Sequence, residues 1–500
     1  MGPYMSFVYR RFAAFLLVAL GAVATGSSAS VYSPTSILIK NVTVIDPNRR
    51  EALPGRSVFI QEGRIVAVER SRRRSPAART VIDGSGRYLI PGLMDMHVHL
   101  FLGQEQTPTL QLLVANGVTG IREMSADCYD AAGSKRGCVE QYKALQLDVR
   151  AGRVVGPDVV ELASAMVMGP TRLKLPAAAP AWVAPSTPEQ MRTNMEHLAS
   201  RGVQLVKTHD SIPSAAFSVL MEESNRRGLK VGGHVPFGAG SLGAARMGYD
   251  SIEHARDLLY DCSDYGSQYR QREASFANGD PGASRPPNLE RLQQTVAQYD
   301  PRQCRKVLRK LAATGVFYAP THVTREMEAR ASNPVYRADP SWMFIAPERR
   351  ARWQKDIDET AALPSSERAA LTAFYRHGLK ITKLAFEAGV PIMAGTDASD
   401  TAIVPGYSLH RELGLLAQAG LTPMEVLKTA TTVPARYLKR SDLGGIAPGK
   451  RADLVLLSRN PLVDVANTSS IEEVILAGRR FDRAQLDALL VDARKMAAAH

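Results

Sequence analysis

The stretch YLIPGLMDMHVHL (residues 88–100) closes an apolar run with two histidines, His97 and His99, one residue apart. Side chains of a strand alternate faces with period two, so both imidazoles point the same way and suggest one shared target. A lone His-x-His pair is common in packed cores, and a matching set elsewhere is what gives it weight. Lys207 ends GVQLVK, His234 sits in KVGGHVP, His254 in DSIEHA and Asp397 in PIMAGTD, each at the end of a short strand-like run. Side chains of these types, spread over three hundred positions, need a scaffold that gathers strand ends.

That scaffold is legible in the alternation of elements. Between about 91 and 440, LMDMHVHL, VTGIREM, VVELASA, VQLVKTH, KVGGHV, SIEHA, VFYAPTH and PIMAGTDA read as strands. Amphipathic stretches at 188–201, 215–227, 365–388 and 423–438 lie between them. Strands alternating with helices imply parallel βαβ units, and this set predicts an α/β fold, a (β/α)8 TIM barrel, over 91–440. The C-terminal ends of barrel strands converge on one face, and the six residues above fall on strands 1, 4, 5, 6 and 8. Residues 30–90 and 441–500 read instead as turn-punctuated strands. They predict a small β-sandwich domain built from both ends of the chain, with a C-terminal helix. Regions 256–315 and 326–364 exceed ordinary loop length and are expected to serve as lids or substrate walls.

Taken in order, IPGLMDMHVHL, VKTH, GGHVP, SIEHA, AGTDAS, PGYSLHREL and GGIAPGKRADLVLL resemble blocks of the metal-dependent amidohydrolase superfamily, in its imidazolonepropionase-like and Xaa-Pro-dipeptidase-like branch. The resemblance runs from about residue 36 to 480. It implies two divalent cations, zinc foremost, one held by His97, His99 and Asp397, the other by His234 and His254, with Lys207 bridging them. Neutral imidazole and carboxylate suit such cations. An ammonium has no lone pair to offer, so the implied bridge is Lys207 N6-carboxylated by CO2. The other reading of Lys207 is an ordinary lysine paired with Asp210 or turned to solvent. His209, two residues on, is a candidate supporting group.

The implied reaction is hydrolysis of a C–N bond in a small amide, a dipeptide (prolidase-like) or an N-acyl amino acid. Cations of this kind supply hydroxide near neutral pH and polarise a carbonyl, and Asp397 would accept the proton and deliver it to the leaving nitrogen. In VFYAPTHVTR, His322 is a candidate oxyanion donor and Arg325 a candidate grip for a substrate carboxylate, beside structural readings of both. His410 and Glu412 in GYSLHREL read as structural or supporting residues. SAMVMGPTRLK stands where relatives often carry a glycine-rich, histidine-containing block after strand 3. Three competing readings use the same scaffold. One is a mononuclear deaminase or cyclic-amide hydrolase, with a single cation on His97, His99, His234 and Asp397 and with His254 moving protons. Another is a lactone or ester hydrolase. The third is a binding protein without activity, which the intact residue set disfavours.

Composition bounds the remaining classes. The chain of 500 residues, 45% hydrophobic and 22% charged, is ordinary for a globular protein with a large core. Its formal charge of +13 is scattered, with RSRRR (70–74) the densest cluster, which argues against nucleic-acid binding. Arg10 and Arg11 precede the apolar run 12–24 and the small, polar TGSSAS, the order of a signal peptide over residues 1–29. That run is shorter than the ~20 residues that span a bilayer. The expectation is an exported protein, periplasmic or secreted, without a membrane span in the mature chain, and open to homo-oligomer formation. Export would permit a Cys128–Cys138 disulfide, while Cys262 and Cys304 form a second bridge or stay as thiols.

Overall fold

The computed structural model describes residues 36–49, 51–72, 76–100, 106–126, 139–169, 184–280 and 287–499. The expected signal peptide and the Cys128–Cys138 pair lie outside the described residues.

Five strands open the described chain: β1 (Ser36–Val44), β2 (Leu53–Gln61), β3 (Arg64–Arg70), β4 (Thr80–Asp83) and β5 (Tyr88–Pro91). The turn between β2 and β3 uses Glu62 at φ 51° and Gly63 at φ 75°, the left-handed pair that a two-residue hairpin requires. Near the C-terminus come β13 (Leu454–Leu457), β14 (Ile471–Leu476) and β15 (Arg479–Phe481). β13 pairs antiparallel with β5, so the two ends of the chain share one sheet in the order β15-β14-β13-β5-β1-β2-β3. β1 gives residues 37–40 to β4 and residues 43–44 to β5 on the same edge. The sheet therefore forks, and its two layers close over Ile39, Val58, Ile60, Leu89, Leu454 and Ile475.

Between these ends lies the barrel. Its parallel strands are β6 (Leu93–Val98), β7 (Val118–Glu123), β8 (Asp158–Leu162), β9 (Leu205–Thr208), β10 (Lys230–Gly233), β11 (Ser251–Glu253) and β12 (Phe317–Ala319). They form two arcs, β6-β7-β8 and β9-β10-β11-β12, joined by bridges from Ala163 to Leu205 and from Val167 to Thr208. Val206 faces the surrounding helices, while Leu205 and Lys207 are enclosed on the other side. Burying each such aliphatic side chain contributes about 1.5–3 kcal/mol.

The eighth strand expected at PIMAGTDA is not a regular strand. Residues 391–398 close the ring through single bridges, Ile392 to Tyr318 and Ala398 to Val98. The reason is that a side chain takes over part of the ladder. Asp95 Oδ1 accepts from Thr396 N at 3.0 Å, and Oδ2 accepts from Thr396 Oγ1 at 2.7 Å. Gly395 lies so close to His97 that a Cβ there would stand 2.9 Å from the histidine Cβ.

The two long insertions are largely helical. Region 256–315 contains helices 257–261, 264–277, 288–297 and 301–312. Cys262 and Cys304 are joined as a disulfide, which ties the first of these helices to the last. Region 326–364 is built around the helix Pro347–Ala361. Arg451 Nη1 reaches Asp158 Oδ2 at 2.6 Å and fastens the C-terminal segment to the start of β8. Among the described residues, no helix is long and apolar enough to cross a membrane.

Candidate metal centre

The ends of β6, β9, β10 and β11 and the segment 391–398 converge on one face. Asp397 Oδ1 stands 2.9 Å from His99 Nε2 and 3.4 Å from His97 Nε2, so one carboxylate oxygen addresses both imidazoles. Its second oxygen, Oδ2, lies 3.6 Å from His254 Nδ1. Lys207 Nζ stands 3.0 Å from His97 Nε2. The His234 and His254 rings meet edge to face with centroids 4.7 Å apart. All six residues singled out in the sequence are thus brought together.

Backbone conformation helps to aim them. His254 at φ 70° and Asp397 at φ 68° occupy the left-handed region, as does Thr321 at φ 45°. Such residues cost of order 1–3 kcal/mol each and persist where the surroundings over-determine them. Thr321 Oγ1, 2.8 Å from His254 Nδ1, is part of that surrounding. Gly233, just before His234, has φ 134°, and a Cβ there would stand 2.5 Å from Thr208 O.

Behind His97 lies a buried polar chain. His97 Nδ1 is 2.8 Å from Glu253 Oε2, and with the carboxylate as acceptor the proton sits on Nδ1 and the Nε2 lone pair faces Lys207 and Asp397. Glu253 Oε1 accepts from Arg122 Nη2 and from Ser251 Oγ, both at 2.7 Å. Arg122 also donates to Met96 O at 2.5 Å and to Ser251 Oγ at 2.9 Å. Arg122, Glu253 and His97 are all 0% exposed. Asp95, whose carboxyl burial pushes up to about 7, also accepts from His97 N.

Electrostatics put these groups in ligand form. Burial, then the Lys207 charge, takes His97 down to about 4. Burial likewise holds His234 and His254 well below the ordinary histidine value, so all three imidazoles are neutral at pH 7. Burial alone would raise Asp397, but the attraction of a proton on His97 or His254 and the hydrogen bond from His99 hold its carboxyl well below the ordinary range, so a proton entering the cluster goes to an imidazole before it goes to Asp397. The Lys207 ammonium is taken down to about 8 by burial, against the pull of Glu253 and Asp397. Neutral imidazoles beside an ionised carboxylate fit a divalent cation. Ligand atoms of His97, His99 and Asp397 lie within 4.8 Å of one another, and those of His209, Asp210 and His234 do the same.

Lys207 is neither paired with Asp210 nor turned to solvent: it is 1% exposed and faces His97. Asp210 Oδ2 instead binds Arg256 Nη1 at 2.9 Å, and Asp210 Oδ1 stands 2.8 Å from His209 Nδ1. The His209 ring lies 4.6 Å from that of His234. His322 is fully buried at the start of its helix with Nε2 2.9 Å from Thr382 Oγ1. Arg325 Nη1 pairs with Glu328 at 2.5 Å. His410 links Asn116 O and Thr468 Oγ1, and Glu412 accepts from Val323 N, so both are structural. Sequence reasoning missed Asp95, Arg122 and Glu253. Their signal was charge inside otherwise apolar strand runs, a placement that requires a partner.

The amidohydrolase family profile matches residues 160–481, and the chain belongs to this family. Among curated proteins, an adenine deaminase of Ruegeria pomeroyi is 46% identical over 72 residues, 14% of this chain and 12% of that one. An imidazolonepropionase of Deinococcus deserti is 36% identical over 98 residues, 19% of this chain and 24% of that one. The chain thus matches only a small part of these curated relatives. Solved structures are covered far more fully. A bottromycin amidohydrolase superposes with a TM-score of 0.70 at 24% identity, over 92% of this chain and 90% of that one. A Xaa-Pro dipeptidase with methionine bound in its active site gives 0.62 at 18% identity, over 90% of this chain and 100% of that one. At these identities the likeness is one of fold.

Proposed function

We propose that the chain is a binuclear amidohydrolase that cleaves the amide of a dipeptide or N-acyl amino acid and carries a carboxylated Lys207. The observation that carries this reading is Lys207 itself, enclosed at the barrel centre with Nζ 3.0 Å from His97 Nε2. Its ammonium is lowered to about 8 by burial, which makes neutral amine available near pH 7. CO2 adds to that amine with formation of an N–C bond and loss of one proton, leaving an anionic oxygen donor where a bare lysine has none.

In this reading His97, His99 and Asp397 would hold one cation and His234 and His254 the other, and a carboxylated Lys207 would serve both. When bound, the cations supply an acidified water and a polarised carbonyl. Asp397 takes a proton at Oδ2 and returns it to the leaving nitrogen. Glu253 and Arg122 keep the His97 lone pair turned to the site. Arg325 takes the substrate carboxylate, and His322 can address the developing oxyanion only through Nδ1, since Nε2 is engaged by Thr382. The Cys262–Cys304 disulfide supports export to an oxidising compartment, periplasmic or extracellular.

A mononuclear deaminase or cyclic-amide hydrolase is the second reading, favoured by the short matches to adenine deaminase and imidazolonepropionase. A metal count on purified protein, joined to a screen of dipeptides, N-acyl amino acids, purines and cyclic amides, separates the two. Two metals per chain with release of a free amino acid support the first. One metal with ammonia release or ring opening overturns it.

A further inference from the structure

Outside the barrel mouth, the helix Pro301–Ala312 carries Arg302, Arg305, Lys306, Arg309 and Lys310 and no acidic residue. Spacing of four residues sets Arg302, Lys306 and Lys310 in a row at steps of ~6 Å. These three line one wall of a cavity of about 630 Å³ whose opposite wall is the segment Ala239–Gly243. All three are exposed, and none has an ion-pair partner among the described residues.

Two carboxylates also line this cavity, and both are already engaged. Asp261 Oδ1 stands 2.9 Å from Arg270 Nε, and Oδ2 accepts from Ser241 N at 3.2 Å. Asp300 caps the basic helix, accepting from Arg302 N at 2.7 Å. Three cations against these two carboxylates, one of them paired with Arg270, leave the charge of the groove positive. Ser241 is fully buried and gives its N–H to Asp261, so it closes the floor of the groove. The Cys262–Cys304 disulfide anchors the basic helix from behind and fixes this wall against the helix Asp257–Asp261.

We propose that this groove binds a phosphate-bearing ligand, with Arg302, Lys306 and Lys310 addressing the phosphate oxygens. Three cations in a row that outnumber the carboxylates beside them match a multiply charged oxyanion. The phosphate belongs either to a soluble small molecule or to a lipid headgroup, a chemistry common to both.

The test titrates the full chain with inorganic phosphate by calorimetry and sediments it with two kinds of vesicle. One kind is phosphatidylcholine alone, the other equal parts phosphatidylcholine and phosphatidylglycerol. The expected result is saturable phosphate binding that the double variant Lys306→Glu/Lys310→Glu weakens by at least about tenfold. Gly243→Glu is expected to do the same, because a Cβ at that position meets nothing within 4 Å and the added carboxylate enters the groove without disturbing the fold. Reversal of a remote exposed charge, Lys495→Glu, leaves binding intact. Pelleting with the anionic vesicles alone, lost in the same variants, assigns the phosphate to a lipid. Phosphate binding without pelleting assigns it to a soluble molecule. The proposal is overturned by absence of both kinds of binding, by binding that survives the double variant, or by equal loss in Lys495→Glu.

Discussion

Glu253 Oε2 lies 2.8 Å from His97 Nδ1, and neither side chain is exposed. This contact fixes which nitrogen of His97 is free, and Arg122 fixes Glu253 in turn. Glu253→Gln is therefore expected to weaken metal affinity about 10–100-fold, the usual cost of losing the partner that orients a ligand. It also leaves the Arg122 charge without its counter-ion in the interior, at a cost of about 3–5 kcal/mol. Metal titration and denaturant melts on the same variant measure the two effects. Unchanged affinity would remove Glu253 from the assembly of the site.

Lys207→Ala should lose the second metal and most of the turnover while the fold persists. Metal loading of the wild-type apoprotein should depend on bicarbonate, being incomplete in CO2-free buffer and restored on addition. Mass spectrometry of metals and intact chain reads both. A variant that keeps two metals and full activity rules out the bridging role.

Glu412 is pushed up to about 8 by burial, against the N–H groups of His322 and Val323 that favour its ionised form. In the unfolded chain its carboxyl titrates near the ordinary glutamate value of 4.5. Between those two values the folded protein holds a proton that the unfolded chain has lost. Stability from this group is therefore complete below about pH 4.5 and falls by about 1.4 kcal/mol per pH unit until about pH 8. Glu412→Gln keeps an acceptor for Val323 N and removes the slope. Melting temperatures at pH 5 and pH 8 should converge in the variant relative to wild type, and equal slopes in the two would refute the assignment.

The Cys262–Cys304 bridge closes a loop with a sequence separation of 42. In the chain-entropy account, its removal costs about 4 kcal/mol. Cys262→Ser/Cys304→Ser should lower the melting temperature by several degrees, and reductant should do the same to the wild type but not to the variant.

Legibility followed chemistry more closely than geometry. His97, His99, Lys207, His234, His254 and Asp397 stood out because each ends an apolar run, and barrel topology turns strand ends into neighbours. PIMAGTDA carried the apolar pattern of a strand, but its hydrogen bonds depend on Asp95, which is 301 positions away from Thr396. Local pattern cannot report such a partner. Arg122 and Glu253, 131 positions apart, were hidden for the same reason: each is a charge that makes sense only beside the other. Lys207 was ambiguous between a pairing with Asp210 and a central role, and Arg256 resolves this by occupying Asp210.

The side-chain seam between Asp95 and Thr396 has a consequence for the order of events in folding. His97 and Asp397 belong to the first and last staves of the barrel, so neither half-assembled chain nor any fragment ending before residue 391 contains a usable centre. Competence to react arrives only when the ring shuts, and a nascent polypeptide is thereby kept inert until the segment 391–398 has joined the finished cylinder.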